Sequence, residues 1–214
     1  MIWLARHGET TWNLAGRYQG RLESALSGLG MQQGMALGHY FFERLGRGEA
    51  VPARVVSSPL LRCVATARLA AQRLGLPVET DERLLEIAHG TWEGRYRDEL
   101  AVNDPERYRT WREDPAHVEF DGGETLTDVL ARWRSFAAGI ATHDEPLLIV
   151  THDAVVRCAL VDLEGRPLDD FWRTRVENGA FALLARERGA LRVSRECVHD
   201  HLDGIRADVT TQAL

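Results

Sequence analysis

Residues Pro146-Leu147-Leu148-Ile149-Val150-Thr151 form a nearly unbroken apolar run of strand length, the pattern required of a strand covered on both faces. Residues 1–5 and 53–57 are shorter runs of the same kind. Between them lie stretches with helical spacing. Leu37, Tyr40, Phe41 and Leu45 make one, and Leu126, Val129, Leu130, Trp133, Ala137 and Ile140 make a longer apolar stripe. Strands alternating with helices in this way predict an α/β fold: a three-layer sandwich with a mostly parallel central sheet and helices on both faces. Thr125 followed by Asp128 reads as a capping box. Ser58-Pro59 reads as an N-cap and first-turn proline for a helix running through Cys63, Ala67, Ala70 and Leu74. Residues 180–185 and 190–196 read as two strands joined by a turn at Arg188-Gly189.

No internal repeat or Pro/Ser-rich linker divides the 214 residues, of which 44% are hydrophobic, so one domain spanning 1–214 is expected. Residues 90–123 differ from their surroundings: they are polar, carry Trp92, Tyr96, Tyr108 and Trp111, and hold a short helix starting near Asp104-Pro105. Such an insertion is expected to form a lid over a site. The tail after Asp203 reads as mobile. A formal net charge of -6 argues against nucleic acid or an anionic membrane as the main partner. No basic leader and no run of membrane-spanning length is visible. Cys63, Cys158 and Cys197 are odd in number and lack metal-type spacing, against a disulfide framework or zinc site. A cytoplasmic protein is expected; oligomeric state is open, with a homodimer among the options.

Chemistry concentrates where the strands end. Arg6 and His7 follow the first apolar run, and a neutral imidazole is a phosphorus nucleophile while a guanidinium offers two parallel donors to phosphate oxygens. Gly8 allows close approach of the backbone. His152 ends the strongest run, so two histidines fall at the carboxyl ends of parallel strands, the edge where open α/β sheets bind ligands. Arg62 falls in the first turn of a helix, at the end that favours anions. Glu86 stands between apolar residues just before the lid, where its proton affinity can be raised to suit a general acid. Asn13, Gln19 and Gly20 sit on the loop after His7 and could add polar contacts to a phosphate or its leaving group. Taken singly, each has a blander reading, as a strand-end histidine, a solvated arginine or a loop glutamate.

Taken together, these residues resemble the histidine phosphatase superfamily, the phosphoglycerate mutase-like proteins, and in particular their small phosphatase branch. The resemblance rests on Leu4-Ala5-Arg6-His7-Gly8-Glu9-Thr10-Thr11-Trp12-Asn13, on Leu26-Ser27-Gly28-Leu29-Gly30, and on residues 57–62 with Thr66-Ala67. It continues through Glu86 with Gly90-Thr91-Trp92-Glu93-Gly94, then Gly122-Gly123-Glu124-Thr125 and Thr151-His152. It implies that His7 is phosphorylated, that Arg6, Arg62 and His152 bind the phosphoryl oxygens, that Glu86 is the general acid, and that neither metal nor cofactor is needed. Val198-His199-Asp200-His201-Leu202 resembles the family's ending, so His199 and His201 read as structural or solvated. In one respect the chain departs from this branch. Asp153 follows the second histidine where glycine is common, and in the acid-phosphatase branch a His-Asp pair supplies the proton, which makes Asp153 an alternative acid. The implied activity is hydrolysis of a small-molecule phosphate ester. A phosphoglycerate-type phosphomutase and a non-catalytic phospho-ligand binding module are the alternatives.

Overall fold

The computed structural model describes residues 1–213. They form a six-stranded sheet in the order β3-β2-β4-β1-β5-β6. The strands are β1 (Ile2–Arg6), β2 (Arg54–Ser57), β3 (Val78–Thr80), β4 (Leu147–Thr151), β5 (Phe181–Glu187) and β6 (Ala190–Val198). The first four run parallel; β5 and β6 are antiparallel and close one edge. The sheet is therefore mostly parallel, as its apolar runs predict. Edge strand β3, three residues long with two of them polar, had no signal in the sequence.

The inner strands are buried on both faces and serve two cores. Ile2 and Leu4 of β1, with Leu147 and Ile149 of β4, face the core shared with α6 (Leu126–Ala141) and α7 (Asp153–Leu163). Trp3, Ala5, Leu148 and Val150 point the other way, toward α2 (Gly28–Gly46) and α3 (Leu61–Ala71). This is period-two alternation between two apolar layers, which explains why the runs read as continuous. The expected stripe of α6 is seated through Leu126, Val129, Trp133 and Ile140, and its capping box is present. The turn between β5 and β6 carries positive φ at Arg188 and Gly189.

One capping expectation is corrected. Helix α3 begins at Leu61 and is capped by Leu60 with no side-chain bond, so Ser58 is not its cap. Its hydroxyl is engaged instead with His152. Glu23 accepts from the Leu61 N–H, occupying the helix end that the sequence offered to an anion.

Residues 90–123 carry α4 (Arg97–Asn103) and α5 (Pro105–Glu113), the latter opening on proline as expected. Trp92, Trp111 and Phe120 are buried beneath them and meet edge-on. Trp111 also contacts Phe171 and Trp172, tying the insertion to the segment after α7. Residues beyond Asp203 lie against the body: the Ile205 carbonyl accepts from Gln33, Arg206 pairs with Glu177, and Gln212 and Ala213 are buried. No helix among the described residues is long and apolar enough to cross a membrane.

Candidate active site

Parallel pairing of β1 with β4, in register Arg6 to Thr151, carries both histidines to the same sheet edge. The His7 N–H donates to the Thr151 carbonyl, and the imidazole rings of His7 and His152 stand 5.3 Å apart, edge to face. Because β2 is also parallel to β4, it delivers Ser58 and the start of α3, hence Arg62, to that edge.

The loop after His7 is shaped by two glycines in mutual contact. A Cβ on Gly8 would lie 2.4 Å from the Gly30 carbonyl oxygen, and one on Gly30 would lie 1.9 Å from that of Glu9. Only glycine at both positions lets α2 seat against the loop. The His7 Nδ1 is 2.7 Å from the Gly8 carbonyl oxygen. A carbonyl can only accept, so Nδ1 carries the hydrogen and Nε2 keeps its lone pair. Burial, then the charges of Arg62 and Arg6, hold the proton affinity of His7 well below the ordinary histidine value, so the ring is neutral.

Arg6 and Arg62 are each about 1% exposed or less. Arg6 donates from Nη1 to the Val176 carbonyl and from Nη2 to the Gln212 side-chain oxygen; Arg62 donates from Nη1 and Nη2 to the carbonyls of Leu22 and Gly20. The Nε of each guanidinium is buried without a partner. Two unspent cationic donors near a neutral imidazole are an arrangement suited to an anion.

Arg6, His7, Asn13, Gln19, Gly20, Glu86 and Asp153 line one cavity. Arg62 and His152 are not on its surface but stand behind it, Arg62 through Gly20 and His152 through its ring contact with His7. Asn13 spends its side-chain oxygen on Thr10, forming a capping box for α1 (Thr11–Leu14), and the Gln19 oxygen accepts from the Thr10 hydroxyl. Their amide nitrogens remain as groups that can face a ligand. Gly20 contributes through its backbone. At a φ of 49° it turns its carbonyl to Arg62, and a Cβ there would collide with the Glu93 carboxylate.

The two candidate acids differ in their surroundings. Glu86 is 8% exposed; burial, reinforced by the charge of Asp153, raises its carboxyl to about 7, against the opposing pull of Arg62, the Ile87 N–H and Arg6. Asp153 instead accepts from Arg157 Nε at 2.6 Å and lies 3.3 Å from Arg6 Nη1. A carboxylate held by two guanidiniums serves as their counter-charge. His152 meets the Ser58 hydroxyl at 2.7 Å, with the Cys63 sulfur 3.3 Å from Nε2; burial and Arg62 hold its proton affinity well below the ordinary value.

Several cavity residues were not among those expected from the sequence to form the site: Ile87 and His89, which flank the motif around Glu86, and Phe171 and Ala213, which carried no signal. His89 is buried with both ring nitrogens unpartnered, and burial lowers it to about 3. Of the aromatic residues of the insertion, Trp111 lines the cavity. Arg97 is turned to Asp98 and Thr210, and Arg112 stacks over Trp172. His201 donates from Nε2 to the Gly179 carbonyl and stacks on Phe181, a packing contact.

A neutral imidazole, two buried arginines and a buried carboxyl of raised proton affinity are gathered in or directly behind one cavity, an arrangement suited to phosphoryl transfer. The chain belongs to the histidine phosphatase superfamily (branch 1), which it matches over residues 2–198. It is 34% identical to phosphoserine phosphatase 1 of Hydrogenobacter thermophilus over 86% of this chain and 85% of that one. It is 31% identical to the adenosylcobalamin/alpha-ribazole phosphatase of Escherichia coli over 86% and 88%. Among solved structures it resembles Bacillus stearothermophilus YhfR, with a TM-score of 0.85, 31% identity and coverage of 94% of this chain and 98% of that one. A mycobacterial glucosyl-3-phosphoglycerate phosphatase in complex with VO3 superimposes with a TM-score of 0.80 at 28% identity, covering 91% and 96%.

Proposed function

We propose that this protein hydrolyses small phosphomonoesters through a phosphohistidine at His7, without a metal ion. The observation that carries the reading is the bond from His7 Nδ1 to the Gly8 carbonyl, which leaves Nε2 as a neutral nucleophile in a cavity shared with Arg6 and Glu86. The phosphatases among its relatives support hydrolysis over phosphoryl transfer to a second ester.

In the first step Nε2 attacks phosphorus as the bond to the ester oxygen breaks. Arg6 and Arg62 offset charge on the equatorial oxygens, supplying by preorganised electrostatics what a divalent ion supplies elsewhere. Glu86, protonated near neutrality, gives its proton to the leaving oxygen. In the second step water attacks the phosphohistidine, its proton passes to the Glu86 carboxylate, and the phosphorus–nitrogen bond breaks to regenerate neutral His7 and release phosphate. Asp153 holds Arg6 and Arg157 in place. His152, hydrogen-bonded to Ser58, adds a neutral donor at the rear of the site.

The test is a rapid quench after brief exposure to labelled p-nitrophenyl phosphate. Label on the wild-type protein should survive alkali and be lost in acid, as a phosphoramidate is, and His7→Ala should carry none. Turnover without such an adduct would refute the nucleophile. Activity should persist in EDTA, and a strict requirement for an added divalent ion would refute the metal-free reading. Transfer of label to an added phosphoglycerate rather than to water would make the protein a mutase.

A further inference from the structure

The cavity around His7 is narrow and partly enclosed. The segment 208–213 closes part of it through Ala213, while Gln212 stands behind the wall on Arg6. A turn at Val209–Thr211, fastened by Asp208 accepting from the Thr210 N–H, leads into two buried residues, Gln212 and Ala213, and Ala213 is part of the cavity wall. Two elements flank the segment. Arg97 of the lid donates to the Thr210 carbonyl, and a Cβ on Gly16, in the loop after His7, would lie 3.2 Å from the Thr211 oxygen.

The anchor is chemically specific. The Gln212 Oε1 accepts from Arg6 Nη2 at 2.7 Å, while its Nε2 donates to Asn178 at 2.8 Å, and Asn178 in turn reaches the His7 carbonyl. Arg6 Nη1 is engaged by the Val176 carbonyl and faces Asp153, so the groups left to a phosphoryl oxygen are the orphaned Nε and Nη2, and Gln212 holds one of the two hydrogens of Nη2.

We propose that the segment 208–213 is an autoinhibitory strap, and that the Gln212 carboxamide occupies the place of a phosphoryl oxygen on Arg6 until phosphate displaces it. This rests on the reading of the cavity as a phosphate site. A neutral carboxamide is suited to such a role. It satisfies a buried guanidinium donor in the resting state, yet it accepts less strongly than a charged phosphoryl oxygen, so the ligand wins the exchange. The strap keeps the cationic pocket from standing open, and each ligand pays for its displacement.

The test measures binding of inorganic phosphate by calorimetry in wild type, Gln212→Ala and Gln212→Glu, alongside hydrogen exchange of the strap. Removing the competitor should tighten phosphate binding about fivefold, the worth of one ordinary hydrogen bond. Gln212→Glu, whose carboxylate pairs with Arg6, should weaken it at least tenfold. In the wild type, saturating phosphate should speed exchange at residues 209–213. Weaker binding in Gln212→Ala would make Gln212 a support for Arg6 and overturn the proposal, as would protection of the strap by phosphate. Binding and displacement without any turnover of phosphate esters would refute the proposed function while leaving the strap intact; no phosphate binding in any variant would refute both.

Discussion

The carboxyl of Glu86 is held in a state that suits catalysis and costs stability, and Glu86→Gln should separate the two. In the folded protein the group keeps its proton to about pH 7, against 4.5 for an ordinary glutamate, chiefly because it is buried. At about 1.4 kcal/mol for each tenfold change in proton affinity, that displacement is worth about 3 kcal/mol. The sign follows from proton binding. Between pH 4.5 and 7 the unfolded chain has released the proton and the folded chain has not, so wild-type stability falls through this window, and the cost is complete above it. Glutamine carries no such penalty and can still accept from the Ile87 N–H, as the Glu86 oxygen does at 2.9 Å. Denaturant unfolding of the two proteins should therefore give similar free energies near pH 4.5 and favour the variant by about 3 kcal/mol at pH 8. The same variant should lose on the order of 10²-fold in rate with alkyl phosphates, the usual worth of general acid catalysis. It should keep far more with p-nitrophenyl phosphate, whose leaving group needs no proton. Equal stability at both pH values, or a benefit confined to acid, would refute the account of Glu86. An alkyl-selective defect in Asp153→Asn in its place would move the acid to that residue.

The remaining expectations concern the groups around it. With Glu86 required as an acid, steady-state kcat/KM for alkyl phosphates should fall as pH rises through about 7, and this limb should vanish in Glu86→Gln. Arg62→Lys should raise KM and lower kcat together, because an ammonium cannot hold the carbonyls of Leu22 and Gly20 and still offer the orphaned Nε position; wild-type kinetics would remove Arg62 from the site. Asp153→Asn should slow aryl and alkyl substrates alike, since it strips the counter-charge from Arg6 and Arg157. Gly30→Ala should cost about 2 kcal/mol or more in unfolding experiments and depress activity as well, because a Cβ 1.9 Å from the Glu9 oxygen must push the loop that carries His7.

Much of this protein is written locally in its sequence. The continuous apolar runs of β1 and β4 announce strands buried on both faces because alternating side chains enter two apolar layers. The stripe and capping box of α6 are equally plain, since both depend on residues three and four apart. Strand ends also place Arg6, His7 and His152, as parallel pairing leaves little choice about which edge they share. What the residue types could not reveal was how each polar group is employed. Ser58 reads as a helix cap and is bonded to His152; Gly20 reads as a ligand contact and turns its carbonyl to Arg62. Glu86 reads as the acid with Asp153 as its alternative, and what sets them apart in the fold is that burial raises one and Arg157 clasps the other. The segment after Asp203 reads as mobile because it is polar and aperiodic, yet Gln212 is bonded to an arginine 206 residues before it. Periodicity reports neighbours along the chain, whereas the ionisation and hydrogen bonding of a buried group depend on neighbours brought by the fold, and those leave no mark in the local pattern.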